Sequence, residues 1–234
     1  MKQTHLGRQW RTALCVVSLS VVFLFCACEN EAYESGDMSY SNMRADFVEA
    51  YSGQAEELKS MVTDDGDSLT LKTDESIKWV ITPDSVYRAL IYYNKVKSGE
   101  AEVIIAKQVP TAHVVPAWSV KEIKTDPVQL ASSWKSSNGR YINLGINLLT
   151  GKEGDETIYH EVGVVCDTLM QHEGGLQHLH LRLYHNQNNA PEYYTSRNYL
   201  SIPLKKSPYH LGKGDTISIV VNTYDGEVCK QFFY

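Results

Sequence analysis

Polar and apolar residues alternate through the first half of the chain beyond residue 40, which is the pattern of strands with one wet face. In the stretch SYSNMRADFVEAYSG, residues 39–53, this alternation predicts that Met43, Ala45 and Phe47 point inward. The further strands predicted in this half cover residues 56–63, 68–71, 85–96 and 100–109. Five strands in about 70 residues favour a small closed barrel, because closure removes the exposed edges of a sheet.

Longer strand patterns follow beyond residue 128, separated by turn signals. They cover residues 128–136, 140–151, 157–169, 176–185, 193–204, 215–225 and 227–234. Seven such strands predict an antiparallel, Ig-like β-sandwich, so the whole fold is expected to be all-β. In the second of these strands, the residues expected in the core are Ile142, Leu144, Ile146 and Leu148, and those expected to face water are Tyr141, Asn143 and Asn147.

The strand pattern is interrupted between the two halves. Pro110 and Pro116 remove backbone donors and stiffen the chain there, as is typical of a domain boundary. We therefore predict a barrel domain at residues 40–115 and a sandwich domain at residues 116–234.

The N-terminal segment has the layout of a secretory signal peptide, in which three basic residues precede an uncharged run at 13–27. This run is shorter than the about 20 residues that a membrane-spanning helix needs. Residues 24–28, Leu-Phe-Cys-Ala-Cys, look like a bacterial lipobox, in which Cys28 is acylated and Cys26 is discarded with the signal. We predict a lipoprotein signal at residues 1–27 and an outer-membrane lipid anchor on Cys28; an ordinary cleaved signal or an uncleaved anchor is the alternative.

Acidic residues follow the anchor in a predicted tether at residues 28–39. These residues are Glu29, Glu31, Glu34 and Asp37. They resemble a surface-export signal of Bacteroidetes lipoproteins. The protein is therefore displayed either on the cell surface or on the periplasmic side, and the sequence leaves both open. Removal of the signal takes away three basic residues and no acidic one, so the formal net charge changes from −6 to −9. Such a charge repels phosphate backbones, and we expect no nucleic-acid partner.

Two cysteines remain in the predicted mature domains, Cys166 and Cys229. In an oxidising compartment they could form one disulfide. Both lie in apolar strand patterns, however, so a pair of buried free thiols is the equal alternative.

Histidines are the first residues to consider for chemistry. His178 and His180 lie two apart on one strand, so their rings share a face and are weak candidates for a metal site. The simpler interpretation is that Leu179, Leu181 and Leu183 take the core side and the histidines the solvated side. No nucleophile motif such as GxSxG or SxxK is present. We therefore expect no enzyme activity, no bound metal and no cofactor.

The connection at residues 185–194 is dense in polar side chains and ends in two tyrosines. Amide groups both donate and accept hydrogen bonds, as recognition of sugars or peptides requires, and tyrosine is common on binding surfaces. The candidate binding residues are His185, Asn186, Gln187, Asn188, Tyr193 and Tyr194. The structural alternative is a turn rich in asparagine because asparagine tolerates left-handed φ angles.

Three stretches of the chain resemble the NigD-like lipoproteins of Bacteroidetes. They are residues 63–66, Thr-Asp-Asp-Gly, residues 126–128, Asp-Pro-Val, and above all residues 179–194, LHLRLYHNQNNAPEYY. The resemblance implies a lipoprotein signal, an N-terminal OB-like barrel and a C-terminal β-sandwich. It implies no catalytic residue.

Two functions follow from these observations. The first is a membrane-anchored, non-catalytic binding module for a glycan, peptide or protein in the cell envelope. The second is a structural or accessory protein of envelope assembly or of bacteriocin secretion or immunity, as the family name suggests. The lipid bilayer, through Cys28, is the partner common to both.

Overall fold

The structure, a computed structural model, describes residues 43–73, 76–97, 99–154, 156–205 and 208–234. The predicted signal peptide, the acidic tether and Cys28 lie outside the described residues. The described regular structure is β-strand apart from two single-turn 3₁₀ helices, Ala117–Ser119 and Glu173–Gly175. The expected all-β class is confirmed.

Five strands form a closed barrel, as the sequence predicted. They are β1 (Met43–Ser52), β2 (Leu58–Thr63), β3 (Ser68–Lys72), β4 (Val86–Lys97) and β5 (Glu100–Gln108). Their order around the barrel is β1-β2-β3-β5-β4, and β4 pairs with β1 to close it. Gly66, in the turn between β2 and β3, has a φ of 96°, which explains the glycine that the sequence places there.

The barrel interior corrects the predicted facing of β1. Val48 and Ala50 lie inside the barrel, whereas Met43 and Ala45 are exposed and Phe47 is half-buried outside the barrel core. Phe47 and Val48 are both apolar, so the sequence does not show which of them begins the inward face. Because side chains alternate with a period of two, an error of one residue exchanges the two faces of a strand. The other large residues of the interior include Met61, Ile91 and Tyr93.

The remaining strands include those of the β-sandwich, which is also confirmed. They are β6 (Val114–Pro116), β7 (Gln129–Lys135), β8 (Tyr141–Thr150), β9 (Lys152–Glu153), β10 (Glu156–Thr157), β11 (Glu161–Gln171), β12 (Gln177–Asn186), β13 (Tyr194–Pro203), β14 (Thr216–Thr223) and β15 (Gly226–Phe233). A five-stranded sheet of order β15-β14-β12-β11-β6 and a three-stranded sheet of order β13-β8-β7 share one core; β9 and β10 pair only with each other.

Pairing in the larger sheet differs from the expected, purely antiparallel arrangement. Strand β14 runs parallel to β12, and β6 runs parallel to β11. The reason is that β13, between β12 and β14 in the chain, belongs to the other sheet. The chain therefore crosses over and returns to the larger sheet in the direction of β12. Strand β6 comes from the interrupted stretch in which the sequence predicted the domain boundary, and it pairs with β11 of the sandwich.

The sandwich core contains the apolar faces that the sequence predicted, including Leu179, Leu181 and Leu183 of β12 and Ile142, Leu144, Ile146 and Leu148 of β8. The opposite face of β8 corrects a prediction. Asn143 was expected in water and is 0% exposed, and Tyr141 is also buried. The barrel covers this end of the strand, because Asn143 and Tyr141 contact barrel residues.

A buried arginine joins the barrel to the sandwich. The side chain of Arg88, from β4, is 1% exposed, and its guanidinium donates two hydrogen bonds of 2.7 Å to the two carboxylate oxygens of Asp64. It also donates to Oδ1 of Asn143 at 3.1 Å and, through Nε, to Oγ of Ser201 at 3.0 Å. The guanidinium carbon lies 4.1 Å from the ring centre of Tyr141. Asn143, Ser201 and Tyr141 belong to the sandwich, so Arg88 links both parts.

The turn between β7 and β8 adds polar contacts to this junction. Glu49 of the barrel forms an ion pair with Arg140 and accepts a hydrogen bond of 2.9 Å from the hydroxyl of Tyr141. Burial, followed by this hydrogen bond, raises the pKa of Tyr141 to about 12. Ser137 donates a hydrogen bond of 2.7 Å to Asp65, which lies in the turn between β2 and β3.

An aromatic cluster completes the junction. The ring of Phe47 lies 5.2 Å, centre to centre, from Trp134 of β7 and 5.2 Å from Tyr199 of β13, in both cases edge to face. Such pairs stabilise by about 0.5–1.5 kcal/mol beyond the area they bury. Phe47 therefore packs against the sandwich, whereas the sequence predicted that it would point into the barrel interior.

Candidate functional site

The predicted binding loop, residues 185–194, connects β12 to β13, but its first residue is not accessible. His185 is 2% exposed. Its Nδ1 lies 2.8 Å from the carbonyl oxygen of Asp126, and its Nε2 lies 2.8 Å from Nδ1 of His160. This corrects the expectation that His185 presents its ring to a ligand. The buried ring instead bonds to Asp126 and His160 and so holds the start of the loop in place.

The hydrogen bonds define how protons are placed on this histidine pair when both rings are neutral. A carbonyl oxygen only accepts, so Nδ1 of His185 donates to Asp126, and Nε2 of His185 accepts from Nδ1 of His160. Nε2 of His160 is then an acceptor, and it is buried without a hydrogen-bond partner among the described residues. Burial, and next the proximity of His185, lower the pKa of His160; the carboxylate of Asp126 opposes them.

The amide side chains of the loop bind other parts of the same protein. Asn188 donates to the carbonyl oxygen of Tyr159 at 2.8 Å, and Asn186 donates to Glu161 at 3.3 Å. Gln187 donates to the carbonyl oxygen of Ala190 and to the carboxylate of Glu192. Asn188 and Asn189 have φ angles of 53° and 57°, which asparagine tolerates better than most residues. The amides therefore fix the loop conformation, as the structural alternative expected.

The two tyrosines that end the loop are the accessible members of the candidate set. Tyr193 is 75% exposed and Tyr194 is 53% exposed. Tyr193 packs over Gly151, where a Cβ atom would lie only 2.7 Å from the tyrosine ring and 3.0 Å from the carbonyl oxygen of Pro191. Glycine at position 151 is therefore needed for the close approach of the loop.

Tyr194 lines a groove between the barrel and the sandwich, with a volume of about 770 Å³. We call it the tyrosine groove, because four tyrosines line it: Tyr92, Tyr159, Tyr194 and Tyr199. Its floor includes Ile146, Leu148 and Leu200, which also belong to the sandwich core, and its barrel wall includes Leu90 and Lys107. Flat rings with hydroxyl groups over an apolar floor suit a ligand with both apolar and polar parts.

The charges of the tyrosine groove differ from those of the whole chain. Lys107 and Arg197 line it, and none of the described residues that line it is Asp or Glu. The chain as a whole has a formal net charge of −6. The groove is therefore a basic region on an acidic protein.

A second cleft, of about 720 Å³, lies between β7 and the hairpin of β14 and β15. It is lined by Gln129, Tyr224, Asp225 and Lys230, together with serine and threonine hydroxyls. The amide of Asn147 in its wall donates to Gln129 at 2.6 Å. This cleft contains none of the candidate residues of the loop at 185–194 and carries both signs of charge.

The two weak metal candidates lie on the outer face of β12, as predicted, but their rings contact each other at a tilt of 31°. The ring centres of His178 and His180 are 3.8 Å apart, and Nε2 of His178 lies 2.6 Å from the hydroxyl of Ser218. Burial, and next the neighbouring rings of His180 and His172, lower the pKa of His178. Across the described residues, no three His, Cys, Asp or Glu side chains are grouped so as to hold a metal ion.

The two cysteines are free in the structure. Cys166 is buried on β11, and Cys229 is exposed on β15. These strands are three positions apart in the five-stranded sheet, which corresponds to about 14 Å at the usual strand spacing. A disulfide needs Cα atoms within about 7 Å. Of the two alternatives from the sequence, the structure therefore agrees with free thiols. Cys229 is exposed, however, whereas the sequence predicted that both thiols would be buried.

No helix in the part of the chain that the structure describes is long and apolar enough to cross a membrane.

Comparisons with known proteins agree with this architecture. The family model of the NigD-like C-terminal beta sandwich domain matches residues 111–234. The chain is similar to a solved NigD-like immunity protein from Bacteroides caccae, with 25% identity over 81% of this chain and 92% of that chain and a TM-score of 0.60. No curated protein sequence matches significantly.

Two further solved structures share the fold at lower identity. A protein of unknown function from Bacteroides vulgatus is 17% identical over 82% of this chain and 91% of that chain, with a TM-score of 0.60. A protein from Bacteroides fragilis that is named as a lipoprotein is 14% identical over 81% of this chain and 96% of that chain, with a TM-score of 0.52.

The lowered pKa of His160 predicts a pH dependence of stability. An unfolded histidine titrates near pH 6.5, so as the pH falls through this value the unfolded state binds protons that the folded His160 resists, and stability falls. We expect the melting temperature of the wild type to fall between pH 7.5 and pH 5.5, and His160→Asn, which keeps a donor near the Nδ1 position, to fall less steeply. The exposed His113→Asn variant is the control for the loss of one histidine from the chain. Parallel curves for the wild type and His160→Asn would contradict this account.

Proposed function

Because the chain belongs to the NigD-like family of Bacteroidetes, we propose that it is a non-catalytic lipoprotein of the cell envelope that binds a peptide, glycan or protein in its tyrosine groove. The observation that carries this proposal is the groove itself. Four tyrosines and two cations line a volume of about 770 Å³, which is within the usual range of binding pockets.

The polar groups near the groove favour binding over catalysis. A hydrolytic site needs a reachable nucleophile beside a base. Ser218 and His178 form a serine–histidine hydrogen bond, but Ser218 is buried and lies outside the groove lining. His160 does line the groove, but its Nδ1 donates to His185, and neither partner is a nucleophile. Among the described residues that line the groove, no hydroxyl is found hydrogen-bonded to a histidine, which supports a binding role.

The proposed location depends on Cys28. Its acylation would attach the protein to the outer membrane, because two or three acyl chains, at about 0.8 kcal/mol for each buried methylene, hold a domain on a bilayer stably. In this proposal the acidic residues between positions 28 and 39 are the tether that follows the anchor.

An accessory role in bacteriocin immunity is the second candidate. It is favoured by the solved relative from Bacteroides caccae, which is named a NigD-like immunity protein. Both candidates use a binding surface, so the identity of the bound partner separates them. A component of a bacteriocin system would favour the immunity role, and a glycan or another envelope protein would favour the general binding role.

The lipid anchor is tested by detergent partitioning. We expect the wild type to enter the detergent phase of Triton X-114 extracts and Cys28→Ser to remain in the aqueous phase or as an unprocessed precursor. Cys26→Ser is the matched control, since this residue would be removed with the signal, and it should behave as the wild type. Equal partitioning of the wild type and a processed Cys28→Ser protein that lacks residues 1–27 would exclude the anchor.

The groove is tested by photo-crosslinking in native cells. A benzoylphenylalanine side chain at Tyr194 should form a covalent adduct with the bound partner, and mass spectrometry should identify its class. The same replacement at Tyr224, in the second cleft, is the control and should give no adduct. Adducts at Tyr224 with none at Tyr194 would move the site to the second cleft, and no adduct at either position would contradict the binding proposal.

A further inference from the structure

The edge of β13 is open along the tyrosine groove. In the three-stranded sheet, β13 pairs with β8 on one side, and its other side has no strand partner over residues 195–199 among the described residues. Exposed strand edges are usually protected by proline, lysine or a covering segment. Between Thr195 and Tyr199, β13 contains neither proline nor lysine, and its one charged residue is Arg197.

The backbone groups that face this edge follow from the pairing. Ser201 donates its N–H to Pro110 and accepts, through its carbonyl oxygen, from Ala112, so its backbone groups point away from β8. In an antiparallel pair, residues alternate between the two sides. Thr195, Arg197 and Tyr199 therefore direct their N–H and C=O groups to the open edge. No backbone–backbone hydrogen bond to these groups from that side is found among the described residues.

The chain itself shows that this edge accepts an extended partner. Residues 110–112 pair with Ser201 in a parallel bridge, with hydrogen bonds of 2.9 Å in both directions. Before Pro110 the chain turns into the barrel, where Val109 donates to the carbonyl oxygen of Arg88. Residues 110–112 therefore pair with β13 at Ser201. This pairing does not continue along residues 195–199, which border the groove.

The surroundings of the open edge select the chemistry of the partner. Side chains of an added strand would alternate, and one set would face the apolar floor of Ile146, Leu148 and Leu200. Lys107 and Arg197 line the groove without any Asp or Glu among its described lining residues. Complementary charge steers binding and suppresses wrong partners. An acidic segment with apolar residues at every second position fits these features.

We propose that the edge of β13 binds an extended, acidic peptide segment of a partner protein by strand addition, with alternate apolar side chains of the segment in the tyrosine groove. This inference rests on the proposed binding function and specifies its ligand. Main-chain hydrogen bonds would supply affinity and the groove would supply specificity, as in other strand-addition complexes.

A random twelve-residue peptide library displayed on phage is the probe. Selection on the purified mature protein should enrich peptides with apolar residues at alternate positions and acidic residues between them. In fluorescence polarisation, Thr195→Pro should weaken the selected peptides about tenfold or more, since it removes an outward donor and places a ring at the edge. Thr195→Val keeps the N–H and should bind within about twofold of the wild type. Arg197→Glu should also weaken binding.

Amide exchange gives a second readout that does not need a variant. On addition of a selected peptide, the amides of Thr195, Arg197 and Tyr199 should become protected, whereas those of Ser196 and Asn198, already paired with β8, should change little.

Three results would overturn the inference: no enriched peptide, enriched peptides without acidic residues, or protection confined to other strands. A self-associated protein with these amides protected before peptide is added would assign the edge to a second copy of the chain. If peptides fail while a glycan is crosslinked at Tyr194, the proposed function stands and the strand-addition inference falls.

Discussion

The structure depends on one buried cation. Arg88 lies where almost no water reaches it, and an unpaired charge in such a place costs several kcal/mol. Its donors are occupied by a carboxylate from the barrel, Asp64, and by Asn143 and Ser201 from two strands of the sandwich. These partners can bond to Arg88 together only in one arrangement of the barrel and the sandwich. A charge that is satisfied only in that arrangement therefore defines how the two parts are joined.

The candidate site is a consequence of that junction. The tyrosine groove has one wall from the barrel and a floor from the sandwich core, so neither part forms it alone. Ser201, which accepts from Arg88, also holds residues 110–112 against β13 and so marks the point at which the edge of that strand becomes open. The loop before β13 is held by its own amides and by His185, which positions Tyr194 at the groove.

Much of the fold could be predicted from the sequence, because alternation reports which residues share a face. Leu179, Leu181 and Leu183 were assigned to the core for this reason, and they lie there. Alternation does not report what covers the other face. Asn143 was predicted to face water because it is polar, yet the barrel covers it. The buried ion pair of Arg88 could not be predicted from the sequence. An arginine within an apolar strand pattern gives the same pattern whether its guanidinium reaches solvent or a carboxylate.

The unfolding free energies of Arg88→Met and Arg182→Met, measured in urea, test this account most directly. Arg182 also forms two ion pairs, but on the outer face of β12, where its side chain is 30% exposed. The account predicts a loss of about 3–5 kcal/mol for Arg88→Met, because Asp64 loses its partner, and about 1 kcal/mol or less for Arg182→Met. Equal losses for the two variants would show that the barrel and the sandwich do not depend on the buried arginine.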